Sequence, residues 1–266
     1  MLNNKNLVAK ALATALLLAG TAHATPINLG GSEPSLQDVL DGITCNATLP
    51  GCSLGGPSGI DVSTDQARLD QRWALGGTGL AFSQIVIEIA GNANYNTFGI
   101  YDIRDHTRTV EMFSGAAGAG SRSALSIATD GSVWAGDLFS GSFRDTGIDF
   151  NQNAFGFYLD TPSGIWYSEA HHNSDGADHM VAYDGQFDLI KLPNSLPGYW
   201  LPNEYVLAWE DLPSASWDYD YNDFVVMVES VTGVPEPATL ALFGIGLMAL
   251  AAAARRRALR AARQTE

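Results

Sequence analysis

From Leu80 onward the chain is written in short runs with a period of two. Around Ser83, the residues Ile85, Ile87 and Ile89 alternate with Val86 and Glu88, the repeat of a strand with one face buried. Comparable runs follow at 97–103, 109–113, 124–128, 132–139, 154–160, 165–169, 179–183, 187–192, 205–209 and 223–231. Gly91-Asn92, Asp130-Gly131 and Asp184-Gly185 punctuate them, the residue types that tight turns require. No long amphipathic helical stretch intervenes, which argues against alternating strand–helix units. The pattern predicts an all-β domain over 73–233, an antiparallel, jelly-roll-like β-sandwich. Phe82, Phe98, Trp134, Phe155, Phe157, Trp166 and Trp209 are expected to fill the space between two sheets. Residues 116–123, AAGAGSRS, read as a flexible loop between strands. Upstream, 25–72 is rich in Gly, Pro and Ser over its first part and reads as an irregular N-terminal segment, with one short helix over 63–73. Ser63 and Gln66 have the spacing of a capping box there.

The two ends have a different grammar. Lys5 and Lys10 precede an apolar run over 11–19 and then Ala22-His23-Ala24. That order of charged, apolar and small residues predicts a signal peptide over 1–24, cut by signal peptidase. The run falls short of the roughly 20 residues a membrane-spanning helix needs. At the other end, Pro235, Glu236 and Pro237 lead into an apolar run over 238–254 and then Arg255, Arg256 and Arg257. Arginines after an apolar helix keep that flank cytoplasmic and the preceding chain outside. This arrangement over 234–257 resembles the PEP-CTERM sorting signal of Gram-negative bacteria. The resemblance implies export and transient anchoring in the inner membrane by the C-terminal hydrophobic helix, with 258–266 as a cytoplasmic tail. It further implies recognition by the membrane transpeptidase exosortase, removal of the tail, and a final place on the outer surface or in the extracellular matrix.

Charge sharpens the picture of the segment between the signals. Residues 25–233 hold seven Lys and Arg against 27 Asp and Glu, a net charge of −20, whereas the whole chain carries −15. Such a polyanion repels nucleic acid and anionic lipid surfaces and suits solubility outside the cell and divalent cations. Cys45 and Cys52 are the two cysteines. Their spacing fits neither a zinc nor a thioredoxin-type motif, and in an exported chain it predicts one disulfide closing a small loop.

The densest chemistry lies between the strand-like runs 205–212 and 224–229. Asp218, Asp220, Asn222 and Asp223 occupy positions 1, 3, 5 and 6 of one short connection, with Glu210 and Asp211 at the neighbouring strand end. Carboxylates this close repel unless a cation sits among them, and Ca²⁺ takes six to eight oxygen ligands. These six residues are the predicted calcium site. An EF-hand is excluded, because Asp223 stands where the turn glycine belongs and a strand follows. The competing reading is an Asx-rich turn whose carboxylates cap backbone N–H groups. His171, His172, Asn173, Asp175, Asp178 and His179 form a second polar cluster. It reads as a hairpin turn bent at Asp175-Gly176 in preference to a zinc site, with Asn173, Asp175 and Asp178 also available to the calcium site if the two loops are adjacent.

Two blocks, 88–102 and 154–185 continuing to Trp209-Glu210-Asp211-Leu212 and Asp218-Tyr219-Asp220-Tyr221-Asn222-Asp223, are similar to a family of bacterial extracellular domains with no assigned activity. That resemblance spans 73–231 and implies an extracellular β fold with clustered acidic residues at Glu210, Asp211, Asp218, Asp220 and Asp223. The expected role is therefore non-catalytic, structural or adhesive, in the exopolysaccharide or biofilm matrix. The alternative is a carbohydrate-binding module or weak glycoside hydrolase using Glu210 with Asp211 or Asp223. No Gly-x-Ser-x-Gly elbow, phosphate-binding glycine loop or Cys–His pair marks an enzyme.

Overall fold

The structure, a computed structural model, describes residues 26, 33–46, 54–77, 79–88, 94–235, 244–246, 248–250 and 252–253. The expected signal peptide, Cys52, Glu236, Pro237, Arg255, Arg256 and Arg257 and the tail 258–266 lie outside the described residues. Cys45 is disulfide-bonded.

A helix α1 (Leu36–Ile43) and strand β1 (Thr44–Cys45) open the described fold. Strands β2 (Trp73–Leu75), β3 (Leu80–Glu88), β4 (Thr97–Asp102), β5 (Asp105–Phe113), β6 (Arg122–Ile127), β7 (Ser132–Gly136) and β8 (Arg144–Asp149) follow. Then come β9 (Ala154–Thr161), β10 (Gly164–Tyr167), a 3₁₀ turn (Ala170–His172), β11 (Met180–Asp184), β12 (Leu189–Ile190) and β13 (Gly198–Tyr199). The last strands are β14 (Glu204–Trp209), β15 (Phe224–Glu229) and β16 (Val231–Gly233).

All pairings between these strands are antiparallel. A six-stranded sheet runs β16-β2-β9-β4-β5, with β10 also on β9, and a seven-stranded sheet runs β11-β14-β15-β3-β6-β7-β8. These two pack face to face as a sandwich. Phe98 of the first sheet lies 5.2 Å from Phe224 of the second, ring centre to ring centre, and Trp73 meets Tyr205 edge-on at 4.8 Å. A third sheet, β1-β12-β13, is small.

The neighbouring strands β11, β14 and β15, at one end of the seven-stranded sheet, are buried along almost their whole length, and the reason is a second core behind that sheet. Tyr205, Leu207, Trp209, Phe224, Val226 and Val228 face the six-stranded sheet. Their alternates Val206, Ala208, Val225 and Met227 face Leu36, Val39 and Leu40 of α1 with Ile190 and Trp200. A strand covered on both faces is apolar at every position instead of every second one. The runs VLAW and FVVMV are therefore the signature of a three-layer structure.

Several expectations change accordingly. The N-terminal segment read as irregular contains α1, closed by a capping box: Ser35 Oγ accepts the Asp38 N–H, and Asp38 accepts the Ser35 N–H. The helix expected over 63–73 is absent. Asp61 accepts the Ser63 N–H at 2.9 Å and its hydroxyl at 2.6 Å, making an Asx-type turn, and Trp73 opens β2. Phe82 and Trp134 leave the core group of aromatics. Their neighbours Ala81, Val133 and Ala135 point into the sandwich, so strict alternation turns Phe82 and Trp134 outward. The 223–231 run is two strands, broken at Ser230 with φ 61°. The 116–123 loop is tied down: Gly120 N–H donates to Ile85 O and Ile85 N–H to Ser121 O. The described residues 244–246, 248–250 and 252–253 are helical, and no helix among the described residues is long and apolar enough to cross a membrane.

Candidate metal centre

The hairpin of β14 and β15 closes on the pair Trp209–Phe224, so Glu210, Asp211 and Asp223 stand at its mouth. The connection between them is bent by two bulky residues in left-handed conformation, Tyr219 (φ 66°) and Tyr221 (φ 53°). Such backbone is costly for aromatic residues and persists only where surroundings enforce it. Here they do. Tyr221 is buried and its hydroxyl donates to Asp178 O at 2.7 Å. The Trp217 ring packs edge-on to Tyr219, Tyr221 and His179, with centres 5.3, 5.9 and 4.6 Å apart.

Asn222 cross-links this loop to the N-terminal layer. Its buried Nδ2 donates to Asp220 Oδ2 at 2.7 Å and to Pro34 O at 2.6 Å. The second bond carries the neighbouring Glu33 to the loop, and oxygens of Glu33, Asp218 and Asp220 lie within 4.8 Å of one another. Asn222 Oδ1 is buried with no hydrogen-bond partner among the described residues, an unsatisfied acceptor of the kind that costs about 1–3 kcal/mol.

Behind this trio the carboxylates are deeper. Glu210 Oε1 accepts the Tyr221 N–H at 3.1 Å. Burial pushes Glu210 up to about 8, opposed by that N–H and reinforced by the charges of Asp223, Asp218 and Asp220. Asp223 accepts the Asp211 N–H at 3.0 Å, and burial followed by the Asp211 charge pushes it up to about 7. Asp220 is pushed up to about 6 by burial and by Asp218, with Glu33 adding to it. The cluster is thus short of positive charge in proportion to its depth.

The structure therefore sorts the six sequence-derived residues. Asp218 and Asp220 are at ligand separation, with Glu33 as third member. Asn222 ties them together. Glu210 and Asp223 act on them by charge from below. Asp211 turns the other way: its carboxylate accepts from Asn96 Nδ2 at 3.0 Å, and its carbonyl accepts from Trp166 Nε1 at 3.0 Å. Glu33 escaped sequence reasoning because nothing local in Gly-Ser-Glu-Pro-Ser announces a partner at position 220.

The second polar cluster is a crossing between the two large sheets, from β10 to β11, in place of the expected hairpin. Gly176 does supply a left-handed bend (φ 68°). The segment lies against the 217–221 loop, but the side-chain oxygens of Asn173 and Asp175 are spent elsewhere. Asn173 accepts the Tyr167 N–H and donates to Tyr167 O and Ala177 O. Burial works against the Asp175 carboxylate, yet N–H donors of Ser214 and Ala177 and the His179 ring outweigh it and hold it at about 2. His179 is buried, stacked on Trp166 at 3.8 Å. His171 and His172 separate from it and join Glu169, their ligand atoms within 4.8 Å of one another. Burial, then the neighbouring His171, lowers the His172 pKa.

Residues 233–257 match the PEP-CTERM protein-sorting motif. No curated protein and no solved structure matches the chain. A motif of this kind implies an exported protein, held in the membrane until exosortase processes it.

Proposed function

We propose that the chain is an exported, exosortase-sorted extracellular protein whose β-sandwich is stiffened by Ca²⁺, with a structural or adhesive role at the cell surface or in the exopolysaccharide matrix. The observation that carries the calcium reading is the convergence of Glu33, Asp218 and Asp220 oxygens within 4.8 Å beside the unsatisfied Asn222 Oδ1. An all-oxygen set is what a hard cation takes, and the oxygens of one such ion stand about 3–4 Å apart when each is 2.3–2.6 Å from it. The site joins the N-terminal layer to the β14–β15 hairpin, so an ion there reinforces a junction already made by the packing of α1 on these strands and by the Asn222–Pro34 hydrogen bond. Calcium titration calorimetry on the mature domain tests it: one equivalent binds with a Kd in the sensor-to-extracellular range, about 10⁻⁶ to 10⁻³ M. Asp218→Ala with Asp220→Ala removes the heat, while Asp211→Asn leaves it. Heat that survives the double substitution would rule the site out.

The sorting tail makes its own prediction. Alanine at Pro235, Glu236 and Pro237 leaves the β domain intact but blocks tail removal. The longer form then accumulates in the inner-membrane fraction, read by immunoblot of fractionated cells.

One observation favours a carbohydrate-binding module as second reading. A cleft of about 350 Å³ opens on the outer face of the seven-stranded sheet, within the ~300–1,000 Å³ range of small-molecule sites. Phe139 (81% exposed) and Tyr199 (62%) flank it, and the buried Ser123 Oγ in its wall has no hydrogen-bond partner among the described residues. Exposed rings beside polar groups suit sugar faces. Glycan-array binding that Phe139→Ala and Tyr199→Ala abolish would establish it.

A further inference from the structure

We propose that Glu169, His171 and His172 form a second metal site, for a transition ion such as Zn²⁺, separate from the calcium loop. Three of the chain's five histidines meet at this spot. The rings of His171 and His172 are 4.1 Å apart, and His106 from β5 lies 4.7 Å from His172. The 3₁₀ turn directly after Glu169 folds the two adjacent histidines back over it, with His172 N–H donating to Glu169 O at 2.9 Å. As a result one atom from each of the three side chains lies within 4.8 Å of the other two.

The spacing inside the trio is informative. His172 Nε2 and Glu169 Oε2 are 3.7 Å apart, too far for a hydrogen bond. Two ligands on one zinc ion, at bonds of about 2.0–2.1 Å, stand roughly 3.3 Å from each other. A small adjustment therefore admits an ion between them. The carboxylate is already oriented for it. Glu169 is fully buried, its Oε1 held by Arg72 Nε and its Oε2 by the Tyr101 hydroxyl at 2.9 Å. Oε2 keeps a further lone pair for a ligand bond. Tyr101 in turn lies over Gly156, where a Cβ would come within 2.2 Å of its ring. Outer partners of this kind hold ligands in place for a metal.

Two imidazole nitrogens and one carboxylate oxygen form a set that suits zinc, nickel or copper, not calcium. With three protein ligands, a fourth position stays open to water. The rival account is a structural Arg72–Glu169 ion pair with histidines packed on it as flat rings.

The two accounts separate in a zinc titration of the mature domain, run with calcium at about 10 mM, roughly ten times the weakest Kd expected of the first site, so that it stays filled. Wild type takes up one zinc equivalent and melts higher. His171→Ala with His172→Ala weakens zinc binding about 30-fold or more, while Asp218→Ala with Asp220→Ala leaves it unchanged. Circular dichroism and a retained calcium response show that the histidine variant is folded. Absence of zinc binding by wild type at about 100 µM, or undiminished binding by the folded histidine variant, overturns the proposal.

Discussion

Stripping divalent ions from the mature domain at neutral pH lowers its melting temperature by about 5–10 °C, and calcium restores it. The size follows from mass action. An ion present at 100 times its Kd stabilises the folded state by about 2.7 kcal/mol, and each kcal/mol moves the midpoint of a domain of this length by roughly 2–4 °C. Calorimetry with EDTA and with calcium measures it. The same experiment has a pH signature whose sign is fixed by Glu210, Asp223 and Asp220, pushed up to about 8, 7 and 6 mainly by burial. In the unfolded chain such carboxyls titrate near 4. Between those values the metal-free folded state holds more protons than the unfolded one, so stability falls as pH rises. What the protonated carboxyls contribute is fully present below pH ~4 and disappears as pH climbs through 6 to 8. Calcium competes with those protons, so its stabilising effect grows over the same interval. A melting temperature indifferent to both calcium and pH across this window would leave the loop as an ordinary Asx turn.

That prediction draws on residues of unequal legibility. Asp218, Asp220, Asn222 and Asp223 sit within six positions, and a tight loop can only bring them near each other. Glu33 is 185 residues from Asp218, and its neighbourhood depends on Asn222 Nδ2 reaching Pro34 O, a long-range contact with no local trace. The same distinction runs through the fold. The strands β4, β9, β14 and β15 were legible because apolar residues recur along them. β8 was not, since its residues Arg144–Asp149 have no buried member. Nor was β13, which is two exposed residues long. The outward turn of Phe82 and Trp134 is written in the alternation, because Ala81, Val133 and Ala135 beside them point inward, and parity along a strand decides facing where aromatic character alone does not. The continuous runs in β14 and β15 likewise carried evidence of a second buried face. Only α1 and the small third sheet, packed behind them, reveal its purpose.

Glu210→Gln is the substitution in which the two sides of this electrostatic arrangement part company. Glu210 is buried, and the Tyr221 N–H is the one donor described on its carboxylate. Glutamine keeps the volume and the acceptor for that N–H while removing the charge, and its amide hydrogens face a carboxylate-rich surrounding that can accept them. Without metal at pH 8, the variant is expected to be more stable than wild type by about 1–3 kcal/mol, since an uncompensated buried charge is gone. Its melting temperature also varies less between pH 6 and 8, because the group with the highest pKa of the cluster no longer titrates. In calcium the order narrows or inverts. The ion loses one negative charge close beneath it, and affinity falls about tenfold, the equivalent of 1.4 kcal/mol. Urea titrations of both proteins at pH 6 and 8, each with EDTA and with calcium, separate these effects. A purely structural Glu210, bonded to Tyr221 and coupled to nothing else, predicts instead one uniform shift that ignores both pH and calcium. That uniform shift is the result with which the charge-cluster account is incompatible.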